Sequence, residues 1–272
     1  MESHPLYYGV AMLRNLLTQY STERDLSVGH ENNLRRALRF YGDYIGREPI
    51  CFDYETVNLF LSSILRTRSR ETAKLYRRCI VTIWNYAADC GQCEHPITRR
   101  IKRIRSQLDP PRAFSVEDVA RLIDAAGTLP GVYPWGTRAD YWQALISGGV
   151  ACGLRRGDLF RLPRSIDDGR PFSIVESKTG LQETRKLSQD AVARLRRLPV
   201  DNSLAYPWRY TRTSFRKTWL SICRRAEITG QFKMLRRSWV TYTGWRHRDP
   251  SVSRRYYVDT RLVDEPVPVV EL

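Results

Sequence analysis

Acidic residues are in short supply in this chain, and the features of a membrane or secreted protein are missing. The 272 residues include 29 Asp and Glu against 45 Lys and Arg, which gives a formal net charge of +16. No apolar run approaches the roughly 18 residues that a membrane-spanning helix needs. The first residues also lack the charged and apolar stretches of a signal peptide. We therefore expect a cytoplasmic protein that has no membrane segment.

Paired cysteine motifs are scarce as well. The six cysteines are scattered along the chain, which is typical of reduced thiols in a cytoplasm. Only Cys90 and Cys93 have the spacing of metal ligands, and a structural zinc site needs about four ligands. The sequence therefore predicts no metal site, and Gly91 is better interpreted as the end of the preceding helix.

The basic excess is unevenly distributed. Residues 1–111 contain 17 basic and 12 acidic side chains, whereas residues 112–272 contain 28 and 17. Residues 209–261 alone contain 14 basic side chains and three acidic ones. A solvated basic surface is the alternative interpretation, but such surfaces usually mix both signs. The distribution favours a polyanionic partner, and we expect a nucleic acid.

The first hundred residues predict four helices. Apolar side chains recur there at helical spacing, and Asp53 and Ser69 stand where the third and fourth helices would begin. A stretch with five cations in seven residues follows at 99–105, and Asp109-Pro110-Pro111 ends it. We interpret residues 99–111 as a basic linker along phosphates, with a helical DNA-binding domain at 1–109. The predicted DNA contacts are Arg77, Arg78, Arg99, Arg100, Lys102, Arg103 and Arg105.

The second domain, at 112–272, mixes helices with one hairpin. Ser115 and Asp118 have the spacing of a capping box, and a helix is expected at 141–150. Residues 172–176 and 181–187 alternate like two strands, joined by the turn Ser177-Lys178-Thr179-Gly180. The sequence therefore predicts a hairpin with a lysine at its tip.

Two distant arginines and a late tyrosine suit phosphodiester chemistry. A guanidinium donates parallel hydrogen bonds to the oxygens that become charged when a phosphodiester is attacked. A tyrosine can serve as the nucleophile that holds the broken strand. Four segments carry these residues: 153–159 (Gly-Leu-Arg-Arg-Gly-Asp-Leu), 177–180 (Ser-Lys-Thr-Gly), 233–239 (Lys-Met-Leu-Arg-Arg-Ser-Trp) and 247–257, which begins with His247 and ends at Tyr257.

In this order, the four segments resemble the motifs of tyrosine recombinases of the phage-integrase family, over nearly the whole chain. The resemblance implies a mainly α protein with a small β-hairpin in an α+β catalytic domain. It also implies a four-helix, SAM-like core-binding domain, the two domains forming a clamp on double-stranded DNA. Relatives of this kind act as homotetramers on DNA. The implied activity is integration and recombination of mobile DNA.

The resemblance also assigns roles to individual residues. Arg155 and Arg236 would hold the scissile phosphate. Lys178 would protonate the departing 5′-oxygen, although Lys186 and Lys233 are alternatives. Tyr257 or Tyr256 would attack and form a 3′-phosphotyrosine, with Tyr257 preferred. His247 would contact a phosphate oxygen or orient the tyrosine. Neither ATP, a metal nor another cofactor is implied.

Two departures from the family pattern affect these expectations. Lys233 stands where the second-arginine segment usually begins with histidine. His247 follows Arg236 by only 11 positions, about half the usual spacing, and losing a dozen helical residues removes roughly 18 Å of reach. We therefore expect the tyrosine to miss the arginines of its own subunit and to act in a neighbouring one. The alternative function is a degenerate relative that binds DNA without cleaving it.

Overall fold

The computed structural model describes residues 7–8, 10–46, 50–105, 110–199, 203–244, 252 and 256–262. The chain divides into two compact units, Met1–Leu108 and Asp109–Leu272. None of the helices formed by the described residues is long and apolar enough to cross a membrane.

Four helices make up most of the first unit, as the sequence predicts. They are α1 (Val10–Glu23), α2 (Val28–Ile45), α3 (Tyr54–Thr67) and α4 (Arg70–Asp89). The strands β1 (Tyr7–Tyr8) and β2 (Ile50–Cys51) form a short antiparallel pair. The Asp53 and Ser69 side chains accept hydrogen bonds from the first turns of α3 and α4, which confirms both predicted caps. Gly91 has a φ of +72° just beyond α4, which confirms that it ends this helix.

The basic stretch after α4 packs against the first unit instead of forming a linker. Ile101 and Ile104 are buried in the core of this unit, 1% and 7% exposed. The Asn58 side chain donates to the Arg100 carbonyl and accepts from the Lys102 amide. Burial of two isoleucines offsets the entropy that is lost when this segment becomes ordered. Apolar periodicity did not reveal the packing, because only two of the seven residues are apolar.

The second unit contains six helices and two hairpins among its described residues. The elements are α5 (Val116–Gly127), β3 (Val132–Tyr133), β4 (Gly136–Thr137), α6 (Arg138–Cys152), α7 (Arg156–Leu159), β5 (Phe172–Val175), β6 (Gln182–Arg185), α8 (Gln189–Arg196), α9 (Arg212–Arg225) and α10 (Met234–Thr243). Strands β5 and β6 pair antiparallel, with Val175 opposite Gln182. The mainly α fold with a small hairpin is thus confirmed, as is the capping box of Ser115 and Asp118.

Helix α6 is the centre of this unit because it is apolar on all sides. Ten of its residues between Tyr141 and Cys152 are buried, which is the pattern of a helix enclosed by its neighbours. Helices α5, α8 and α10 pack around it. Trp142 lies against Phe215 of α9, with ring centroids 4.8 Å apart. Because α6 is enclosed, its carboxyl end has a fixed position, and Arg155 follows shortly after this end.

Gly153 ends α6 at a crowded position. It adopts φ of +62°, and a Cβ atom there would lie 2.2 Å from Cε3 of Trp239. Its carbonyl accepts a hydrogen bond from Nη1 of Arg236 at 3.0 Å. Only glycine meets the backbone and the packing requirements together.

We predict that Gly153→Ala lowers the free energy of unfolding by about 2–5 kcal/mol, because left-handed strain and overpacking add. Chemical denaturation of the purified variant measures this. Gly180→Ala, which has a φ of +66° in open space, isolates the backbone cost. Gly157→Ala, with no atom near its Cβ and an ordinary φ, serves as the neutral control. Equal effects of Gly153→Ala and Gly180→Ala would contradict the role given to Trp239.

Candidate active site

Arg155 is positioned by the turn between α6 and α7. After the left-handed Gly153, the chain leaves α6 and Arg155 caps the short helix α7 in extended conformation. Its side chain is 22% exposed, and Nη1 lies 2.5 Å from Oε2 of Glu176. One face of this guanidinium is therefore paired with the carboxylate while the group keeps access to solvent.

Arg236 lies in the first turn of α10 and is almost completely buried, with 5% of its side chain exposed. Its Nη1 donates to the Gly153 carbonyl and, at 2.6 Å, to Oε1 of Glu176. These two contacts connect α10 to the end of α6 and to the hairpin, so the second arginine has a defined orientation.

Glu176 bridges the two arginines. Each of its carboxylate oxygens accepts from one guanidinium, and the Thr179 hydroxyl adds a hydrogen bond of 3.1 Å to Oε2. Burial opposes the charged form, but the hydrogen bonds and charges of Arg236 and Arg155 lower the pKa of Glu176 from 4.5 to about 2. The carboxylate is therefore ionised at neutral pH and holds two like charges together.

Tyr257 lies beside both arginines of its own chain. The guanidinium carbon of Arg236 is 5.4 Å from the centroid of the Tyr257 ring. Burial opposes the charge of Arg155, but Glu176 and a hydrogen bond with the Tyr257 side chain raise the pKa of Arg155. Tyr256 is instead 41% exposed. Of the two candidate tyrosines, the structure therefore brings Tyr257 to the arginines.

Asp259 anchors the segment that carries Tyr257. Its carboxylate is buried and accepts from the Ala113 amide at 2.9 Å and from the Arg261 guanidinium. The Asp259 amide donates to the hydroxyl of Thr241, on α10. The expectation that the short spacing keeps the tyrosine away from its own arginines is therefore wrong. The chain returns to α10 at Thr241 and Asp259, so helix length alone does not set its reach.

Lys178 is at the tip of the hairpin, as predicted, but outside this cluster. It is exposed and makes no hydrogen bond or ion pair with the described residues. The turn itself is attached to the first-arginine segment, because the Ser177 amide donates to Oδ1 of the fully buried Asp158. Lys186 is also exposed. The hairpin thus holds a lysine two residues from the carboxylate that pairs the arginines.

Several solved structures are similar to this chain in fold. Lambda integrase (residues 75–356) bound to DNA matches with a TM-score of 0.67 at 15% identity, over 84% of this chain and 85% of that chain. A lambda integrase tetramer bound to a Holliday junction matches with a TM-score of 0.70 at 13% identity, over 91% and 76%. XerH site-specific recombinase bound to a palindromic difH substrate matches with a TM-score of 0.67 at 17% identity, over 97% and 85%.

This chain has the tyrosine recombinase fold. No protein-family model matches the sequence, and no curated protein matches it. With identities of 13–17%, the likeness is one of architecture.

In this recombinase fold, Lys233 stands just before α10 and close to Arg237. Burial and the charge of Arg237 lower the pKa of Lys233. A lysine with a lowered pKa is better suited to exchange a proton at neutral pH than an ordinary lysine. His247 lies outside the described residues, so its predicted role stays a prediction.

The predicted DNA contacts of the first unit divide into two groups. The Arg77 guanidinium donates to the carbonyls of Thr98, Ile101 and Lys102, so it orders the basic stretch from within. Arg100 lies over the ring of Tyr54, with its guanidinium carbon 4.0 Å from the centroid. The exposed members of the predicted set are Arg78, Arg99, Arg100, Lys102, Arg103 and Arg105. Arg77 therefore has an internal role that the sequence reasoning missed.

The sequence reasoning also missed Glu176, although a signal was present. Phe172, Ile174 and Glu176 follow at intervals of two, and alternation along a strand places all three on the inward face. An acidic residue in an inward register needs cationic partners. Asp259 gave no comparable signal, because its contact with Ala113 joins residues 146 positions apart.

The site predicts an acid-dependent loss of stability. A carboxyl with a lowered pKa in the folded state stabilises the protein above its unfolded pKa and loses this effect as the pH falls through its folded pKa. For Glu176 the window runs from about pH 5 to about pH 2, and the contribution at neutral pH is about 3 kcal/mol. We expect the wild type to lose about 2 kcal/mol of it by pH 3.

Comparison with Glu176→Gln isolates this effect, because glutamine does not titrate. Unfolding in guanidinium chloride at pH 7, 5 and 3 measures the difference in free energy of unfolding between the two proteins. The wild type is expected to be the more stable at pH 7, with the difference shrinking at pH 3. A difference that stays constant with pH would show that the bridge does not control the charge of Glu176.

Proposed function

We propose that this chain is a site-specific DNA recombinase that cleaves and rejoins DNA through a 3′-phosphotyrosine intermediate. The observation that supports it best is the position of Tyr257 against Arg236 and Arg155 within one chain. A nucleophile next to two guanidinium groups is suited to attack a phosphodiester that those groups bind. The similarity in fold to lambda integrase and XerH supports the same class of reaction.

The proposed reaction uses the residues of the second unit. The Tyr257 oxygen forms a bond to the scissile phosphorus, and the bond from phosphorus to the 5′-oxygen breaks. Arg155 and Arg236 stabilise the charge that develops on the phosphate oxygens. Lys178 donates a proton to the leaving 5′-oxygen, and the phenolic proton goes to solvent. Attack by the 5′-hydroxyl of another strand reverses these steps and joins the DNA.

The proposed substrate is double-stranded DNA held by basic side chains of both units. Exposed cations at 99–105 contribute from the first unit, and the excess at 209–261 contributes from the second. A lambda integrase of similar fold is a tetramer on a Holliday junction. We propose that this chain also assembles on DNA as a homo-oligomer and that it serves a mobile element.

Covalent trapping tests the reaction. With a nicked suicide substrate carrying a verified crossover site, the wild type is expected to give a denaturant-resistant protein–DNA adduct, because the short cleaved fragment diffuses away. Tyr257→Phe is expected to abolish the adduct, since it removes the nucleophilic oxygen with little change in packing. Tyr256→Phe is the matched control and is expected to retain it. Adduct formation by Tyr257→Phe would contradict the assignment.

Mixing variants tests whether cleavage occurs within one subunit. Because Tyr257 lies beside the arginines of its own chain, a mixture of Tyr257→Phe and Arg155→Ala is expected to give no adduct. Both variants should still bind the site, which a mobility-shift assay checks. Recovery of the adduct in the mixture would show that the tyrosine is donated between subunits.

DNA binding is expected to depend strongly on salt. If about six phosphates are contacted, affinity should fall roughly a thousandfold between 50 and 200 mM salt. Fluorescence anisotropy with a labelled duplex measures this change. Replacing Arg103 and Arg105 by glutamine should reduce the slope, because each exposed cation releases counterions on binding. An affinity that is flat over this range would exclude the proposed interface.

A second candidate function is DNA binding without cleavage. The observation that favours it is Lys233 in the place of the usual histidine, because a lysine is a weaker general base than histidine at neutral pH. Saturated binding to a verified site without any adduct would support this function over strand transfer.

A further inference from the structure

The position of Glu176 has a parallel in the proposed substrate. Its two oxygens each accept from one arginine, at 2.5 and 2.6 Å. A phosphodiester also carries one negative charge and presents two non-bridging oxygens on a single atom. The carboxylate therefore satisfies the two guanidinium groups as a bound phosphate would.

Arg236 is enclosed as long as this carboxylate stays in place. The side chains of Glu176 and Arg236 are 3% and 5% exposed. The Tyr257 ring lies over the guanidinium, and the Gly153 carbonyl takes another donor of Nη1. A DNA phosphate can reach Arg236 together with Arg155 only if the carboxylate gives up its position between them.

We infer that Glu176 is an internal counterion that occupies the place of the scissile phosphate and is exchanged for it when DNA binds. The inference rests on the proposed function, since it concerns the same two arginines. The exchange replaces one monoanion by another, so the charge of the guanidinium pair stays compensated. In the free protein the carboxylate prevents two adjacent cations, of which Arg236 is buried, from being left without an anion.

The hairpin turn allows such an exchange without unfolding the unit. The Glu176 backbone closes the turn: its amide donates to the Leu181 carbonyl, and its own carbonyl accepts from the Gly180 amide, both at 2.9 Å. Residues 177–181 of this turn are all exposed. The side chain therefore extends inward from the base of a solvent-facing turn, where side-chain rotation or a small shift of the turn withdraws it.

Thermal unfolding in sulfate tests the exchange, because sulfate is an oxyanion that two arginines can share. Wild type and Glu176→Gln are titrated with sodium sulfate at constant ionic strength, balanced with sodium chloride. In chloride alone, Glu176→Gln is expected to have the lower Tm. A tenfold gain in anion affinity corresponds to a Tm rise of about 3–6 °C, and we expect a sulfate-specific rise of this size in excess of the wild-type rise.

Glu183→Gln is the matched control. It removes another carboxylate of the same hairpin, one that pairs with buried Arg185 at 3.1 Å. Its sulfate response is expected to equal that of the wild type. An equal response of Glu176→Gln and Glu183→Gln would overturn the inference. If Glu176→Gln does not fold in any salt, Glu176→Asp takes its place, because the shorter side chain weakens the bridge. Its sulfate response is then compared with that of Glu183→Gln by the same criterion.

A DNA measurement separates this inference from the proposed function. In single-turnover cleavage of the suicide substrate, Glu176→Gln is expected to reach half-saturation at about tenfold lower DNA concentration than the wild type. Unchanged half-saturation with slower cleavage would show that Glu176 acts in the bound state, which overturns the exchange. If neither the wild type nor Glu176→Gln forms an adduct, the proposed function fails. The sulfate titration still tests the inference, because it does not depend on cleavage.

Discussion

The structure of the site depends on one carboxylate between the buried guanidinium group of Arg236 and the partly exposed guanidinium group of Arg155. Arg155 comes from the end of α6, Arg236 from α10 and Glu176 from the hairpin, so three elements meet at one charge. Two unpaired cations at this depth would repel each other and lose their hydration. Glu176 replaces the repulsion between the two arginines with attraction of both to one carboxylate. The position of each arginine therefore depends on that of the other.

The tyrosine segment depends on a second buried carboxylate. Asp259 connects the segment that carries Tyr257 to the Ala113 amide at the start of the second unit and to Thr241 of α10. Burial opposes its ionisation, but the hydrogen bonds from Arg261 and Ala113 lower the pKa of Asp259. Two anions therefore organise the centre of a strongly basic unit: one arranges the cations, and the other places the aromatic ring beside them.

Local sequence signals predicted the elements well because their causes are local. Asp53, Ser69 and Ser115 cap helices by contacts three residues away, and the hairpin follows from alternation over a few residues. The resemblance to recombinase motifs selected Arg155, Arg236 and Tyr257, which the structure brings together. These were the residues for which residue type and order along the chain carried the information.

The remaining features arise from contacts that no local pattern specifies. Arg77 was predicted to contact DNA, yet its guanidinium donates to carbonyls 21 to 25 residues away. The reach of Tyr257 was underestimated because a residue count measures chain length and not the path that the chain takes. The burial of Glu176 was predictable from its inward register. Its role was not, because it depends on two arginines that contact it only in the folded protein.

Gly153 shows how contacts between distant residues limit the substitutions that this chain accepts. One residue terminates α6, leaves room for the indole of Trp239 and offers its carbonyl to Arg236. A larger side chain at this position meets the indole and must also adopt the left-handed backbone, so a change at 153 requires both a smaller residue at 239 and a rearranged turn. Sequences that drift over long periods are therefore expected to keep this pair linked, even where the surrounding helices exchange most of their residues.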